Sequence, residues 1–148
     1  MTAEAIEVDA VGRMTRLTLG ELPDECLIEA TIIYQPGAYQ CGLLLRADDE
    51  LEHYYQVRLE PARQRLTVDR WPRPGDEAFM IERPLTMSAG QPIRLQVLLA
   101  GTCLVVYANE EVALSCRMYD HRAGNLGLFV TEGQALFERV GVSVRAEK

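Results

Sequence analysis

Residues able to do chemistry gather in "CGLLLRADDELEHYYQVRLE", positions 41–60, where Asp48, Asp49, Glu50 and Glu52 run into His53, Tyr54 and Tyr55. Carboxylates beside an imidazole and aromatic rings suit acid–base catalysis, a metal ion or a sugar. The run lacks the D-x-[DN]-x-[DN]-G calcium-loop pattern. A glycosidase needs two carboxyls about 5–9.5 Å apart with the sugar between them. Acids bunched at one hairpin tip frame no such substrate. His53 and His121 are the only histidines, too few for a multi-histidine metal site, and both fall in expected loops, as surface residues. Ser88, Ser115 and Ser143 have neither a GxSxG context nor a visible base, and no Gly-rich phosphate loop occurs. The expectation is no catalytic residue, no metal and no cofactor.

Composition narrows the partners. The 148 residues are 48% hydrophobic and 25% charged with a net charge of −7, a globular composition without the basic stripe that nucleic acid or an anionic membrane requires. No apolar run approaches the roughly 18 residues of a membrane span. The N-terminus has neither a basic n-region nor an apolar h-region, so a secretion signal is not expected. The expected setting is cytoplasmic, or a domain cut from a longer protein. Four cysteines, Cys26, Cys41, Cys103 and Cys116, lie in apolar runs without metal-ligand spacing, as small buried hydrophobes do. A two-residue turn at Asn109-Glu110 would set Cys103 directly opposite Cys116, at a spacing that permits a disulfide.

The elements that must position these residues are strands. Short runs rich in Val, Ile, Leu, Thr and Tyr alternate with Gly and Pro punctuation, and no helical period competes with them. Strands are expected at 4–9, 14–20, 26–35, 41–48, 54–60, 65–71, 78–83, 92–100, 102–108, 111–118, 125–131 and 135–146. Breaks fall at Gly12, Pro23-Asp24, Pro36-Gly37, Pro61, Pro72 to Gly75, Ala89-Gly90, Gly101, Gly124 and Gly133. No linker divides them, so residues 1–148 are expected to form one domain, an all-β, antiparallel two-sheet sandwich of jelly-roll type. The run 41–45 is apolar on both faces and belongs in the centre of a sheet.

Alternation then assigns faces. In 54–60, Tyr55, Val57 and Leu59 point to the core, and Tyr54, Gln56, Arg58 and Glu60 point the other way. A four-residue turn at Pro61–Gln64 pairs Glu60 with Arg65, Arg58 with Thr67, Gln56 with Asp69 and Tyr54 with Trp71. Arg46 is expected on the same face, across the first hairpin. Arg46, Tyr54, Gln56, Arg58, Asp69 and Trp71 thus form a candidate carbohydrate site, in which rings stack on sugar C–H groups and Arg, Asp and Gln reach hydroxyls. The same residues also fit a solvated face of cross-strand pairs and a protein-docking surface. All three readings stand on residues alone.

The segment "IRLQVLLAGTCLVVYANEEVALSCRMYDHRAGNLGLFVTEGQALFERVGV", residues 93–142, resembles the C-terminal β-sandwich of glycoside hydrolase family 32, the invertases, levanases and inulinases. "GLLLRADDELEHYYQVRLEPARQRLTVDR", residues 42–70, resembles the earlier part of that sandwich and equally the related fructan-binding modules. The resemblance implies a concanavalin A-like sandwich without catalytic machinery, since catalysis in that family belongs to an N-terminal propeller with an Arg-Asp-Pro motif. This chain has no Arg-Asp-Pro, and its Glu25-Cys26 opens a sandwich strand. The implied function is an accessory or carbohydrate-binding domain of a fructan- or sucrose-type glycoside hydrolase. Its implied partners are a fructan or fructosyl-containing sugar and a catalytic propeller. The alternative is a docking domain without a sugar, whose exposed apolar face would make homo-oligomers.

Overall fold

The computed structural model describes residues 2–72 and 80–144. Its strands are β1 (Thr2–Glu21), β2 (Glu25–Tyr34), β3 (Gln40–Ala47), β4 (Tyr54–Glu60), β5 (Arg65–Trp71), β6 (Met80–Pro84), β7 (Ile93–Ala100), β8 (Cys103–Ala108), β9 (Val112–Arg117) and β10 (Asn125–Ser143). Alternation makes them: in β2, Cys26, Ile28, Ala30, Ile32 and Tyr34 are buried, with more exposed residues between. All pairings are antiparallel, in the order β6-β5-β4-β3-β10-β2-β7-β8-β9, with β1 alongside β10. The ends of the expected strands 78–83 and 135–146, and most of the break at 72–75, lie outside the described residues.

Two strands cross between the layers. The first half of β10 pairs with β3 and its second half with β2, while β1 follows β10 along its length. One layer is therefore β6-β5-β4-β3 with half of the β10–β1 ribbon, and the other is β9-β8-β7-β2 with the other half. The breaks expected at Gly12 and Gly133 are bends rather than turns. The register of β1 shifts between Ala10 and Met14, and Glu132 and Gly133 in β10 have φ of 50° and 104°. A Cβ on Gly133 would meet the Ala38 Cα at 2.7 Å, so only glycine fits that bend. Twelve expected strands thus become ten among the described residues, because a glycine that bends a strand reads like one that ends it.

The inner faces of both layers share one core. It includes Ile28, Ile32, Leu43, Leu45, Tyr55, Val57, Leu66, Val97, Leu104, Val106, Leu128 and Phe137. A smaller cluster of Leu44, Ala47, Tyr54 and Phe129, with Met14 and Leu51 against it, lies on the outer face of the first layer. β3 is consequently buried on both faces, as its apolar run implied.

The β8–β9 register corrects the expected cysteine pair. Ala108 faces Val112, leaving a three-residue loop, and Cys103 faces Arg117 while Leu104 faces Cys116. Asn109 and Glu110 both have positive φ, 53° and 58°. A two-residue turn would have set Leu104 opposite Ser115 and sent Val112 and Leu114 to the wrong face, since a one-residue slip inverts a strand. Cys103 and Cys116 now point to opposite faces, and all four cysteines are free thiols.

Candidate functional site

The site begins at a tight turn. Pro61–Arg63 form a single 3-10 turn ended by Gln64 in the left-handed region, φ 49°. The Gln64 side chain accepts from the Met87 N–H at 2.7 Å and donates to the Pro61 and Met87 carbonyls at 2.9 and 3.0 Å. The turn length sets the β4–β5 register: Glu60 opposite Arg65, Arg58 opposite Thr67, Gln56 opposite Asp69, Tyr54 opposite Trp71. Each pair matches the spacing expected from Pro61–Gln64.

On the outer face of the first layer these residues form a buried polar ladder. Arg58 Nη1 donates to Gln56 Oε1 at 2.7 Å and to Asp69 Oδ2 at 3.4 Å, and its Nε lies 3.5 Å from Glu60 Oε2 without a hydrogen bond. Glu60 accepts from Arg65 Nε at 2.8 Å and from the Thr67 hydroxyl at 2.6 Å, with Gln40 Nε2 at 3.4 Å. Burial pushes the Glu60 carboxyl up. The bonds from Arg65 and Thr67 and the charge of Arg58 outweigh it, so the group stays below the ordinary glutamate range. Its partners hold each side chain in one orientation.

Above the ladder is a cavity of about 270 Å³ lined by Met14, Gln40, Tyr54, Gln56, Arg58, Asp69, Arg70, Trp71 and Thr131. Tyr54 is buried, whereas Trp71 is 51% exposed. Burial raises the Tyr54 phenol, and Arg16 opposes that through its charge and a hydrogen bond. An open tryptophan ring beside fixed guanidinium, carboxylate and amide groups can take a flat apolar face and neighbouring hydroxyls together.

Five of the six expected residues, Tyr54, Gln56, Arg58, Asp69 and Trp71, line this cavity. Arg46 does not. It adopts φ 53° where the β3–β10 register shifts, and the bulge turns it off the Leu44 face. Arg46 is 2% exposed. Its Nη2 reaches the Asp24 carbonyl at 3.5 Å and the Asp24 carboxylate at 3.9 Å, while Nη1 is buried without a partner. Burial lowers its pKa, partly offset by Asp24. Glycine at 124 makes the bulge fit, because a Cβ there would meet the Arg46 carbonyl carbon at 2.4 Å.

Sequence reasoning missed Met14, Gln40, Arg70 and Thr131; alternation sets Arg70 opposite Tyr55, on the other face. Gln40 was within reach of alternation carried back from Leu44, whereas Met14 and Thr131 arrive on β1 and β10 without a local signal. It also missed how the 48–53 tip is built. Asp48 accepts from the backbone N–H groups of Glu52 and His53 at 2.7 and 3.0 Å, and its second oxygen lies 2.8 Å from His53 Nδ1. Burial raises the Asp48 carboxyl, but these bonds outweigh it and hold it at about 2. The His53 and His121 rings stand 5.8 Å apart, and His121 lies 5.2 Å from Tyr55. The Asp120 N–H donates to the Tyr55 hydroxyl at 3.0 Å. The tip is a loop knitted by Asp48, with Asp49, Glu50, Glu52 and His53 still exposed to solvent. Among the described residues no group of three or more His, Cys, Asp or Glu is placed to hold a metal. Among the described residues no helix is long and apolar enough to cross a membrane.

Known proteins share this architecture. The carbohydrate binding module CBM66 from Bacillus subtilis superposes with a TM-score of 0.79 at 14% identity, over 97% of this chain and 94% of that one. A fructosyltransferase from A. japonicus superposes with a TM-score of 0.78 at 20% identity, over 99% of this chain and 26% of that enzyme. In sequence, a levanase from Bacillus sp. (strain L7) is 25% identical over 146 residues, which are 97% of this chain and 16% of the levanase. The chain thus spans about a sixth of that relative. The family described as "Glycosyl hydrolases family 32 C terminal" matches residues 7–144, and the chain belongs to it.

Proposed function

We propose that the cavity between Tyr54 and Trp71 binds a fructan or another fructosyl-containing carbohydrate. As a family member the chain is a non-catalytic accessory or carbohydrate-binding β-sandwich tied to fructan-type glycoside hydrolases. One observation carries the site: an open Trp71 ring on the same face as the buried Arg58–Gln56–Asp69 row, around about 270 Å³. Buried polar groups locked by their neighbours lose little freedom on binding. The relative called a levanase and the neighbour called a fructosyltransferase suggest the sugar class, and association with a catalytic propeller fits the family. Calorimetric titration with levan and inulin oligosaccharides and with sucrose tests the reading. Binding is expected to one or more, and to fall at least tenfold in Trp71→Ala and Arg58→Ala. Affinity unchanged in both variants would remove the site.

A docking role has its own observation. On the outer face of the second layer, Leu27 pairs with Leu98 and Leu98 with Val105. Leu98 and Val144 are 42% and 62% exposed beside a groove of about 440 Å³. This face lies away from the sugar cavity, so the two roles are compatible. A catalytic domain or a second copy would cover it.

A further inference from the structure

A second hollow lies on the outer face of the layer that holds β2 and β7. Its volume is about 460 Å³, and Glu29, Thr31, Arg94, Arg139, Gly141 and Ser143 line it. A bulge in β10 builds it. Glu138 faces Thr31 and Gly141 faces Glu29, so Arg139 and Val140 together oppose Ala30. The added residue lets both Phe137 and Val140 reach the core and leaves Arg139 outside. Arg139 has φ 51°, a backbone conformation that glycine takes at less cost. Gly141 carries no side chain, which leaves room beside Glu29. On the far side Arg94 faces Thr31, and its guanidinium donates to Glu29 Oε2 and Glu110 Oε1, both at 3.3 Å. Arg139 forms no hydrogen bond or ion pair among the described residues.

The charged groups lining the hollow leave one positive charge, two guanidiniums against the Glu29 carboxylate. On a chain of net charge −7 that is a local reversal, and its field favours a single anion. The guanidinium fork matches a carboxylate, whereas a doubly charged phosphate would meet more repulsion from Glu29 than a singly charged group does. The Thr31 and Ser143 hydroxyls and the Glu29 oxygens can bond hydroxyl groups. A bare acidic side chain would satisfy the arginines and leave those three facing water. We propose that this hollow is a second carbohydrate site, for a sugar that bears a carboxylate, as a uronic acid does. Arg139 and Arg94 hold the carboxylate, and Thr31, Ser143 and Glu29 take the ring hydroxyls. The site does not rest on the proposed fructan cavity, with which it shares no lining residue. Its arginines are exposed, so binding weakens as salt rises.

The test is an amide-resolved NMR titration of the whole chain with digalacturonate, its dimethyl ester, glutarate and fructose 6-phosphate. Digalacturonate is expected to shift the amides of residues 29–31 and 139–143 saturably. The ester keeps the hydroxyls but loses the charge, and should bind about tenfold more weakly. Glutarate, which lacks the hydroxyls, and the sugar phosphate should also bind more weakly. Arg139→Gly should lose the binding while its urea midpoint stays the same or rises, because the backbone there suits glycine. Arg94→Gln, at an exposed position, should weaken binding likewise, and Trp71→Ala should leave it unchanged. No saturable shift at these amides overturns the proposal, and so does binding that survives in both arginine variants. Equal binding of the ester, of glutarate or of the sugar phosphate overturns the choice of a carboxylate-bearing sugar. Loss of binding in Trp71→Ala would place the acid in the other cavity and overturn this one. A lower midpoint in Arg139→Gly would overturn the backbone argument, and Arg94→Gln would then decide the site.

Discussion

Gly42 lies so close to the neighbouring strand that a Cβ built on it would meet the Val57 carbonyl oxygen at 1.9 Å. The two strands can approach there because Gly42 has no side chain; it stands opposite Arg58, which lines the proposed sugar cavity. Gly42→Ala must therefore push β3 from β4 or break the ladder between them. The expected loss is about 3 kcal/mol, read as a lower urea midpoint, with sugar affinity falling in step. A fully stable Gly42→Ala would mean that β3 and β4 sit further apart.

Arg46 gives a prediction of the opposite sign. Its guanidinium is buried with a distant, exposed partner in Asp24 and an unpaired Nη1. Replacing a poorly paired buried charge with an apolar side chain of similar length is often neutral or stabilising, by roughly 1–4 kcal/mol. Arg46→Met should raise the melting temperature or leave it unchanged, and sugar binding should not alter. Loss of binding at constant stability would return Arg46 to the site.

Acid stability follows from the two carboxyls held low. Glu60 lies below its ordinary 4.5, and Asp48 at about 2 against an ordinary 3.8. Each binds protons more weakly when folded, so its contribution is present above the ordinary value and lost as pH falls through the folded one. Urea midpoints should therefore decline below pH 4.5 and steepen toward pH 2. Glu60→Gln, which leaves Arg58 only Asp69 and Arg65 only Glu82 as an anion, should flatten the upper part of that decline and cost about 2 kcal/mol at pH 7.

The thiols should be free and unequal. Burial raises Cys41 to about 12 and Cys116 to about 11, and Cys103 is the more open member of the β8–β9 pair by position. Iodoacetamide at neutral pH should label Cys103 well before Cys41. Mass measurement of the unfolded, unreduced chain should find four reactive thiols. A mass lower by two hydrogens, with Cys103 and Cys116 linked, would restore the two-residue turn.

Most of the sheet was legible in the sequence because alternation and turn length are local. The Tyr54–Trp71, Gln56–Asp69 and Arg58–Thr67 pairs follow once Pro61 to Gln64 are read as a four-residue turn, and five cavity residues follow from those pairs. Left-handed residues defeated the same reasoning. Arg46, Asn109, Glu110 and Glu132 all have positive φ, and none is glycine. Arg46 sits where the β3–β10 register shifts, Asn109 and Glu110 together lengthen one loop by a residue, and Glu132 sits at the bend of β10; the side-chain types do not announce it. The Asp120 bond to the Tyr55 hydroxyl joins segments 65 residues apart, beyond any periodic signal.

The β1–β10 ribbon has a consequence for how this protein comes into being. Gln134 bonds Glu7 across 127 residues of chain, and the two halves of β10 pair with strands of different layers. Neither layer can close its edge until the last strand is available, so an emerging chain must wait with β1 unpaired. Contacts of such long span make folding slow, and the waiting edge is a template for another chain. Synthesis, rather than the finished fold, is the stage at which this protein is most exposed to aggregation.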